Sequence, residues 1–524
     1  MRYHLELEPR DSPLAWLYRG IIVSLIVSVM MSENGQRGNR SYDKLVHMED
    51  FTPEACYRAG QSRDSRFDGR FFTAVKTTGI YCRPICPART PKFENCRYFL
   101  SAAAAQEAGF RPCLRCRPEV SPEFAFWRGT SNTVSRALAL ISEGAIDADT
   151  TVEQLAERLG VGERQLRRLF QQHLGASPIS LIQTRRLLFA KQLIHETRLP
   201  MSEIALAAGY GSIRRFNDTF HKLYNRPPSS IRRGKAPTES AAPVTLQLTY
   251  RPPYDWNAML SFFSARAIPG VELVEDGKYY RTAHPGALIE VAHRPERNAL
   301  KVTVQAPKVS ELAGLVARVR RVFDVGADIV TIENHLASDP MLAPLVARHP
   351  GLRSPGGWDG FELAVRAVLG QQVSVAAART LAGRLVELAG TVQYVPHKLT
   401  RFFPTAAQVA AADLEKLGMP SSRRRTLKCL ADAAVADPKL FERSATLEES
   451  VKRLCAISGI GEWTAQYIAL RALREPDAFP ASDLGLLRAA ANGSGERPAP
   501  AELLALAEPW RPWRAYAAQH LWNS

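Results

Sequence analysis

Two cysteine pairs mark the part of this chain best equipped for chemistry. Cys82 and Cys86 lie in YCRPICPART, Cys113 and Cys116 in FRPCLRCRPE. One pair is separated by three residues and the other by two, with a longer mixed stretch between them. That pattern brings four thiolates around one tetrahedral zinc ion. The short gaps let two sulfurs reach the ion from a single turn, and the long gap returns the chain with the second pair. Half of the eight cysteines cluster here, whereas Cys56, Cys96, Cys429 and Cys455 are scattered with no disulfide framework. This usage points to a reducing cytoplasm. A zinc thiolate is either an inert staple or a nucleophile, and the cysteines alone leave both open.

A second pattern lies near the other end. LCAISGIGEWTAQYIALRA (454–472) sets Gly459 and Gly461 between two helical stretches. The glycines permit a tight hairpin, and the helix that follows offers backbone N–H groups to a phosphate. Downstream, AFPASDLGLLRA (478–489) puts Asp483 at the expected start of a helix. A carboxylate there is either a functional group or simply a helix N-cap.

A third pattern is repeated. Residues 151–175 and 201–233 each read as a helix, a Gly-containing turn and a second helix. Leu155, Ala156, Leu159, Val161, Leu166 and Phe170 form the first inner face; Ile204, Ala205, Ala208, Gly209 and Phe216 form the second. Arg164, Gln165, Arg167 and Arg168 crowd one second helix, and Ser212, Arg214, Arg215 and Asn217 the other. Such residues near a helix start suit the major groove of DNA. The bland alternative is a helical spacer.

These groups need elements to hold them. At 524 residues the chain has room for three or four domains. Its formal charge of +16 suits a polyanion partner, nucleic acid first and anionic membrane second, but charge alone equally fits a solvated basic surface. Residues 133–233 show helical periodicity, and GKAPTESAAP (234–243) reads as a linker. Runs such as VTLQLTY, ALIEVAH and LKVTVQA within 244–325 are strand-like, with a basic amphipathic helix at 311–323. From Asp328 onward the chain is nearly all helical. The apolar run at 21–31 is short for a membrane span. Residues 1–47 are expected to be a dispensable extension, disordered or from a misassigned start, with Met48 as the true start.

The quoted residues carry three family resemblances. Residues 131–234, including the closing FHKLYNRPPSSIRR, resemble the DNA-binding domain of AraC-type regulators. Residues 68–119, through TTGIYCRPIC and GFRPCLRC, resemble the N-terminal domain of Ada-type methylation-response proteins. That likeness implies zinc held by Cys82, Cys86, Cys113 and Cys116, and Cys82 as acceptor of a methyl group from a DNA methylphosphotriester. Arg83, Arg111, Arg115 and Arg117 are each either phosphate contacts or solvated surface arginines, and Cys96 is expected to be a free packing thiol. From about Thr245 to Trp522 the chain resembles helix-hairpin-helix DNA glycosylases of the 3-methyladenine II type, through YRPPYDWNAMLSFFSARA, FELAVRAVLGQQVSVAAA, EKLGMP and WRPWRAYAAQHLW.

The glycosylase likeness implies Asp483 as the catalytic carboxylate and Trp463, Tyr467 and Trp522 as the base pocket, with core packing the expected role of Trp256. Gly459, Gly461, Thr464 and Gln372 are expected at the DNA. Bifunctional relatives place a lysine where this chain has Trp463, so a monofunctional enzyme leaving an abasic site is implied. No four-cysteine pattern follows Asp483, so no iron–sulfur cluster is expected. Where a relative wedges a leucine into the DNA stack, Gln371 or Gln372 stands here, and Arg423–Arg425 is either a phosphate contact or a solvated face.

The expected fold is multidomain and mainly α with α+β parts. It comprises a small zinc domain at 48–125, an AraC-type double helix-turn-helix at 131–234, a linker at 235–243, an α+β subdomain at 244–327 and a helical helix-hairpin-helix glycosylase domain at 328–524. The function expected is adaptive-response repair of alkylated DNA: a consumed methyl-acceptor switches on transcription, and the glycosylase releases bases such as 3-methyladenine. Expected partners are one zinc ion, double-stranded DNA and RNA polymerase, with no membrane and a cytoplasmic, nucleoid-associated location. The competing reading keeps the regulator and makes the glycosylase-like half an inactive DNA-binding module.

Overall fold

Local signals start the first module. Thr52 caps helix α1 (Pro53–Ser62) by accepting the Ala55 N–H at 3.2 Å, with proline at the first helical position. A small sheet follows, formed by β1 (Phe72–Val75), β2 (Ile80–Cys82), β3 (Cys96–Phe99) and β4 (Arg111–Pro112), with helix α2 (Ala102–Glu107) before β4. Its strand order is β3-β1-β2-β4. β2 and β4 run parallel with Tyr81 opposite Pro112. Cys82 closes one of these strands and Cys113 follows the other, so two distant cysteines arrive side by side. The Cys113 N–H donates to the Tyr81 carbonyl at 3.0 Å.

The computed structural model describes residues 52–122, 132–142, 151–232, 243–284, 286–392, 398–491 and 495–524. The expected extension at 1–47, and all but the last residue of the linker at 235–243, lie outside the described residues.

The helical segment comprises α3 (Asn132–Ser142), α4 (Val152–Leu159), α5 (Glu163–Leu174), α6 (Pro178–Glu196), α7 (Met201–Ala207) and α8 (Ile213–Tyr224). Thr151 and Gln154 form a capping box on α4, and Gly160 ends it at φ 71°. The expected inner faces are buried, apart from Gly209, which is exposed, and Val161, which is half-buried. The α6 helix joins the two helix pairs.

Strand β5 (Val244–Thr249) opens the next segment, and α9 (Trp256–Arg266) follows. β6 (Glu272–Glu275), β7 (Lys278–Ala283), β8 (Ala287–Arg294) and β9 (Ala299–Gln305) complete an antiparallel sheet ordered β5-β9-β8-β7-β6. The expected amphipathic helix is α10 (Leu312–Val322). The helical remainder contains α11 (Ile329–Leu336), α12 (Ala343–Arg348), α13 (Gly360–Leu369), α14 (Val375–Ala389), α15 (Ala406–Ala411), α16 (Ser421–Ala436), α17 (Leu447–Cys455), α18 (Glu462–Arg471), α19 (Leu484–Ala489), α20 (Pro500–Leu506) and α21 (Arg514–Trp522).

The apolar cores do not respect sequence modules. Ala103 and Ala104 of the small sheet module pack with Leu155, Leu166 and Phe170 of the first helix pair. Ile204, Phe216 and Phe220 of the second pair share a core with Leu246, Leu248 and Val302 of the five-stranded sheet.

Polar groups tie the same junctions. Lys191 on α6 is fully buried, donating to Glu119 Oε2 at 2.7 Å and to the Cys113 carbonyl at 2.9 Å. Glu119 Oε1 accepts from Arg117 Nε at 3.1 Å, and Arg117 Nη2 reaches Glu196 on α6 at 2.7 Å. Glu196 accepts the Gln247 N–H of β5 at 2.9 Å. On another side, Arg70 binds Asp328 at 2.6 Å, and Arg251 donates to the Asp68 carbonyl at 3.0 Å. Removing Lys191 strips Glu119 Oε2 of its buried partner and leaves Arg117 on Oε1 alone to offset the charge. Lys191→Met should therefore cost roughly 3–5 kcal/mol of unfolding free energy, seen as a lower denaturant midpoint. Lys191→Met combined with Glu119→Leu should recover most of that loss.

Candidate thiolate centre and base pocket

The Sγ atoms of Cys82, Cys86, Cys113 and Cys116 all lie within 4.8 Å of one another. A tetrahedron of about 2.3 Å zinc–sulfur bonds has edges of about 3.8 Å, so the donor set fits one zinc ion. Two backbone N–H groups support the sulfurs: Arg83 donates to Cys116 Sγ at 3.4 Å and Arg115 to Cys113 Sγ at 3.3 Å. Crowding by Cys113, Cys116 and Cys86, together with burial, pushes the Cys82 thiol far up, because four bare sulfurs cannot share one small volume as anions. A divalent cation reverses that balance. Cys113 and Cys116 are buried, whereas Cys82 and Cys86 are partly exposed. Cys96 stands outside the cluster, with its Sγ 3.4 Å from the Lys92 carbonyl.

The surrounding arginines separate into two kinds. Arg83 proves to be neither a phosphate contact nor a solvated surface arginine. It is only 7% exposed, pairs with Asp68 and donates to the Cys116 carbonyl at 3.2 Å. Its guanidinium braces the knuckle from inside. Arg117 is committed to Glu119 and Glu196. Arg115 remains exposed and Arg111 partly so.

Arg164, Gln165, Arg167 and Arg168 are exposed on α5, as are Arg214 and Arg215 on α8. Arg167 pairs with Glu163 at 2.5 Å, and Arg168 donates to Gln165 at 3.0 Å. Ser212 is exposed, but its hydroxyl caps α8 by accepting the Arg215 N–H at 3.2 Å.

The second centre forms where α18, α19 and α21 converge. Asp483 is the N-cap of α19, and Oδ1 accepts the Gly485 and Leu486 N–H groups at 2.9 and 3.1 Å. It is more than a cap. Trp522 Nε1 donates to Oδ1 and Trp463 Nε1 to Oδ2, each at 2.9 Å. Four N–H donors thus fix the carboxylate plane and hold its charge in place. Trp463 stacks on Tyr467 with centroids 5.6 Å apart and planes 10° apart, and Tyr467 meets Trp522 at 70°. These residues line a cavity of about 560 Å³.

Phe262, Arg471, Gln519 and Gly485 belong to this site and were missed in the sequence. Phe262, Arg471 and Gln519 line the cavity. A Cβ on Gly485 would sit 2.9 Å from Asp483 Oδ1 and 3.1 Å from Trp522 Cδ1. The FFSARA stretch of the glycosylase likeness contained Phe262, but no local pattern distinguished it from core. Trp256 packs in the core, stacked on Phe323 at 5.7 Å.

The two hairpin glycines differ. Gly459 has φ 85°, and a Cβ there would lie 1.8 Å from Thr426 Oγ1. Gly461 caps α18 and faces open space. Thr464 turns its hydroxyl inward, where it accepts Gln371 Nε2 at 3.1 Å, leaving only its backbone N–H for an outside partner. Gln371 also donates to the Gly459 carbonyl at 3.1 Å, and its own carbonyl accepts Arg423 Nη2 at 2.6 Å. Gln372 is exposed with φ 57°. The two glutamines are therefore distinguishable: one is bound to the hairpin and the other is free at the loop tip. Arg424 donates to the Met419 carbonyl at 2.7 Å, and Arg425 is exposed.

The fold and sites define a multidomain DNA-repair protein with a metal-binding sensor module. Residues 55–119 match the metal binding domain of Ada, 155–234 a helix-turn-helix domain, 245–359 the AlkA N-terminal domain and 365–514 the HhH-GPD superfamily of base excision DNA repair proteins. A probable bifunctional transcriptional activator/DNA repair enzyme AlkA of Mycobacterium tuberculosis is 43% identical over 482 residues, covering 90% of this chain and 96% of that one. The chain belongs to that family of bifunctional transcriptional activator/DNA repair enzymes. DNA-3-methyladenine glycosylase 2 of Escherichia coli is 36% identical over 52% of this chain and 95% of its own length. The Ada activator/repair enzyme of Escherichia coli is 35% identical over 24% of this chain and 34% of its own. Among the described residues no helix is long and apolar enough to cross a membrane.

Gly459→Ala should collapse the hairpin through its clash with Thr426. Binding to alkylated duplex should fall about tenfold or more in a shift assay, since the clash displaces the start of α18, where unpaired backbone N–H groups can meet a phosphate. Gly461→Ala, with open space around it, should leave the thermal midpoint within about 2 °C.

Proposed function

We propose that this chain is an alkylation sensor, transcriptional activator and monofunctional DNA glycosylase in one molecule. The observation that carries the enzyme reading is the Asp483 carboxylate held between the indoles of Trp463 and Trp522 at the mouth of an aromatic cavity. An inactive DNA-binding module has no need of a carboxylate so restrained.

The glycosylase chemistry follows from charge. Base departure builds positive charge on the sugar at C1′, and a fixed carboxylate facing C1′ stabilises it and orients the attacking water. A base reaches the cavity only by leaving the duplex stack. Gln372, exposed at its loop tip, fills the vacated space, while Gln371 holds the loop to the hairpin. The backbone N–H groups after Gly461 take a phosphate of the damaged strand. With Trp463 where a lysine would form a Schiff base, the product is an abasic site. Alkylated purines such as 3-methyladenine are the proposed substrates.

At the other end, bound zinc keeps the four cysteines as thiolates. Cys82 Sγ attacks a methyl carbon of a methylphosphotriester; the S–C bond forms, the O–CH3 bond breaks and its electron pair returns to the phosphate oxygen. The thioether is stable, so the acceptor acts once. One negative charge is lost beside the DNA, and the exposed faces of α5 and α8 bind their operator more strongly. RNA polymerase is the proposed downstream partner. The domain limits proposed are 48–125, 131–234, 244–327 and 328–524.

Asp483→Asn should lower 3-methyladenine release by about a hundredfold or more, measured as free base from methylated DNA. Unchanged release would refute the assignment. Cys82→Ala should take up no methyl group from methylated DNA by mass spectrometry, while keeping glycosylase activity. A methyl adduct on Cys86 in the wild-type chain would move the acceptor role to that residue.

A further inference from the structure

Breaking a glycosidic bond divides charge between sugar and base. A base alkylated on a ring nitrogen is cationic and leaves neutral. A neutral damaged base must keep both electrons of the C1′–N bond and leaves as an anion until water protonates it. Only the second case gains from a cation beside the departing ring.

Arg471 is placed to be that cation. It follows Trp463 and Tyr467 at eight and four residues on α18, and so shares their face of the helix. It is 2% exposed and borders the cavity. Its guanidinium carbon lies 4.8 Å from the Phe262 ring centroid, 5.0 Å from Trp522 and 5.8 Å from Tyr467. Its polar partners are uncharged: Nη1 donates to the Pro355 carbonyl at 3.0 Å and Nη2 to Gln519 Oε1 at 2.8 Å. The buried Nε has no hydrogen-bond partner.

Neighbouring charges on the cavity wall are treated differently. Arg281 and Arg366 are neutralised by Glu272 and Glu362. Arg266 is only half-buried and Arg379 is exposed, so water screens both. Arg471 alone among these is buried without a carboxylate. Burial pushes its pKa down to about 10, which still leaves it protonated at neutral pH. A guanidinium against the aromatic walls also spends part of their attraction for a second cation.

We propose that Arg471 is a specificity-determining residue of the base pocket: its unneutralised charge favours departure of neutral damaged bases and disfavours cationic ones. The inference rests on the glycosylase reading above. In the step it assists, the C1′–N bond breaks with both electrons on the base nitrogen. Water then supplies hydroxide to C1′ and a proton to the base.

The test uses the full chain and two duplexes, one holding a single hypoxanthine, which is neutral, and one a single 7-methylguanine, which is cationic. Arg471→Met should lower kcat/KM on hypoxanthine by about tenfold or more and raise it on 7-methylguanine by about twofold or more. Arg471→Lys keeps the charge and should keep the wild-type ratio. Should Arg471→Met fail to fold, as judged by its thermal midpoint, Arg471→Gln provides the same comparison. Parallel losses on both substrates, or hypoxanthine left intact by the wild-type chain, would overturn the inference. Release of neither base by the wild-type chain would instead overturn the glycosylase reading itself.

Discussion

The buried contact between Lys191 and Glu119 is the constraint on which the front half is built. An ammonium and a carboxylate with no exposed surface are tolerated because each meets the other, with Arg117 sharing the carboxylate and the Cys113 carbonyl the ammonium. Lys191 comes from the helix joining the two helix-turn-helix pairs, and Glu119 from the segment just after the last zinc-type cysteine. The same ammonium holds the carbonyl of Cys113. The thiolate centre is thus seated on the helix that orients the DNA-reading elements. Through Arg117, Glu196 and Gln247 the polar contacts continue into the five-stranded sheet. The charge change proposed at Cys82 would occur in the module that this junction anchors to α6.

The rear half uses a different restraint. Asp483 is held by neutral donors, two backbone N–H groups and two indoles, so its charge is oriented without being cancelled. A guanidinium partner would have fixed it as well but would have cancelled its charge. Arg471, also held by uncharged partners, keeps its field for the same reason. Elsewhere in this half, Arg281, Arg366, Arg474 and Arg514 are met by Glu362, Glu272, Asp324 and Asp477, while the buried Arg353 is held by main-chain carbonyls.

Much of this was legible in the sequence wherever the signal was local. The cysteine spacing, the repeated helix pairs, the hairpin glycines and Asp483 at a helix start each depend on neighbours a few residues away. What escaped depended on contacts between distant segments. Arg83 read as a surface cation because nothing nearby in the sequence shows that Asp68 would bury it. Thr464 read as a DNA contact, yet its hydroxyl turns inward to Gln371. Gln371 and Gln372 were indistinguishable as letters and are distinct in space, since backbone conformation, not residue type, separates them. Phe262 and Arg471 join the pocket only after α9 folds over α18.

The shared cores carry a consequence for how the molecule is made and lost. Ile204, Phe216 and Phe220 pack in one apolar cluster with Leu246, Leu248 and Val302. The two activities proposed above, one consumed in a single event and one turning over, would therefore share a common folding and degradation unit. A cell cannot adjust the dose of one without the other. On that proposal, each methyl group sensed would leave behind a spent reporter whose repair half still works, so the count of past damage and the capacity to remove future damage would stay fixed at one to one.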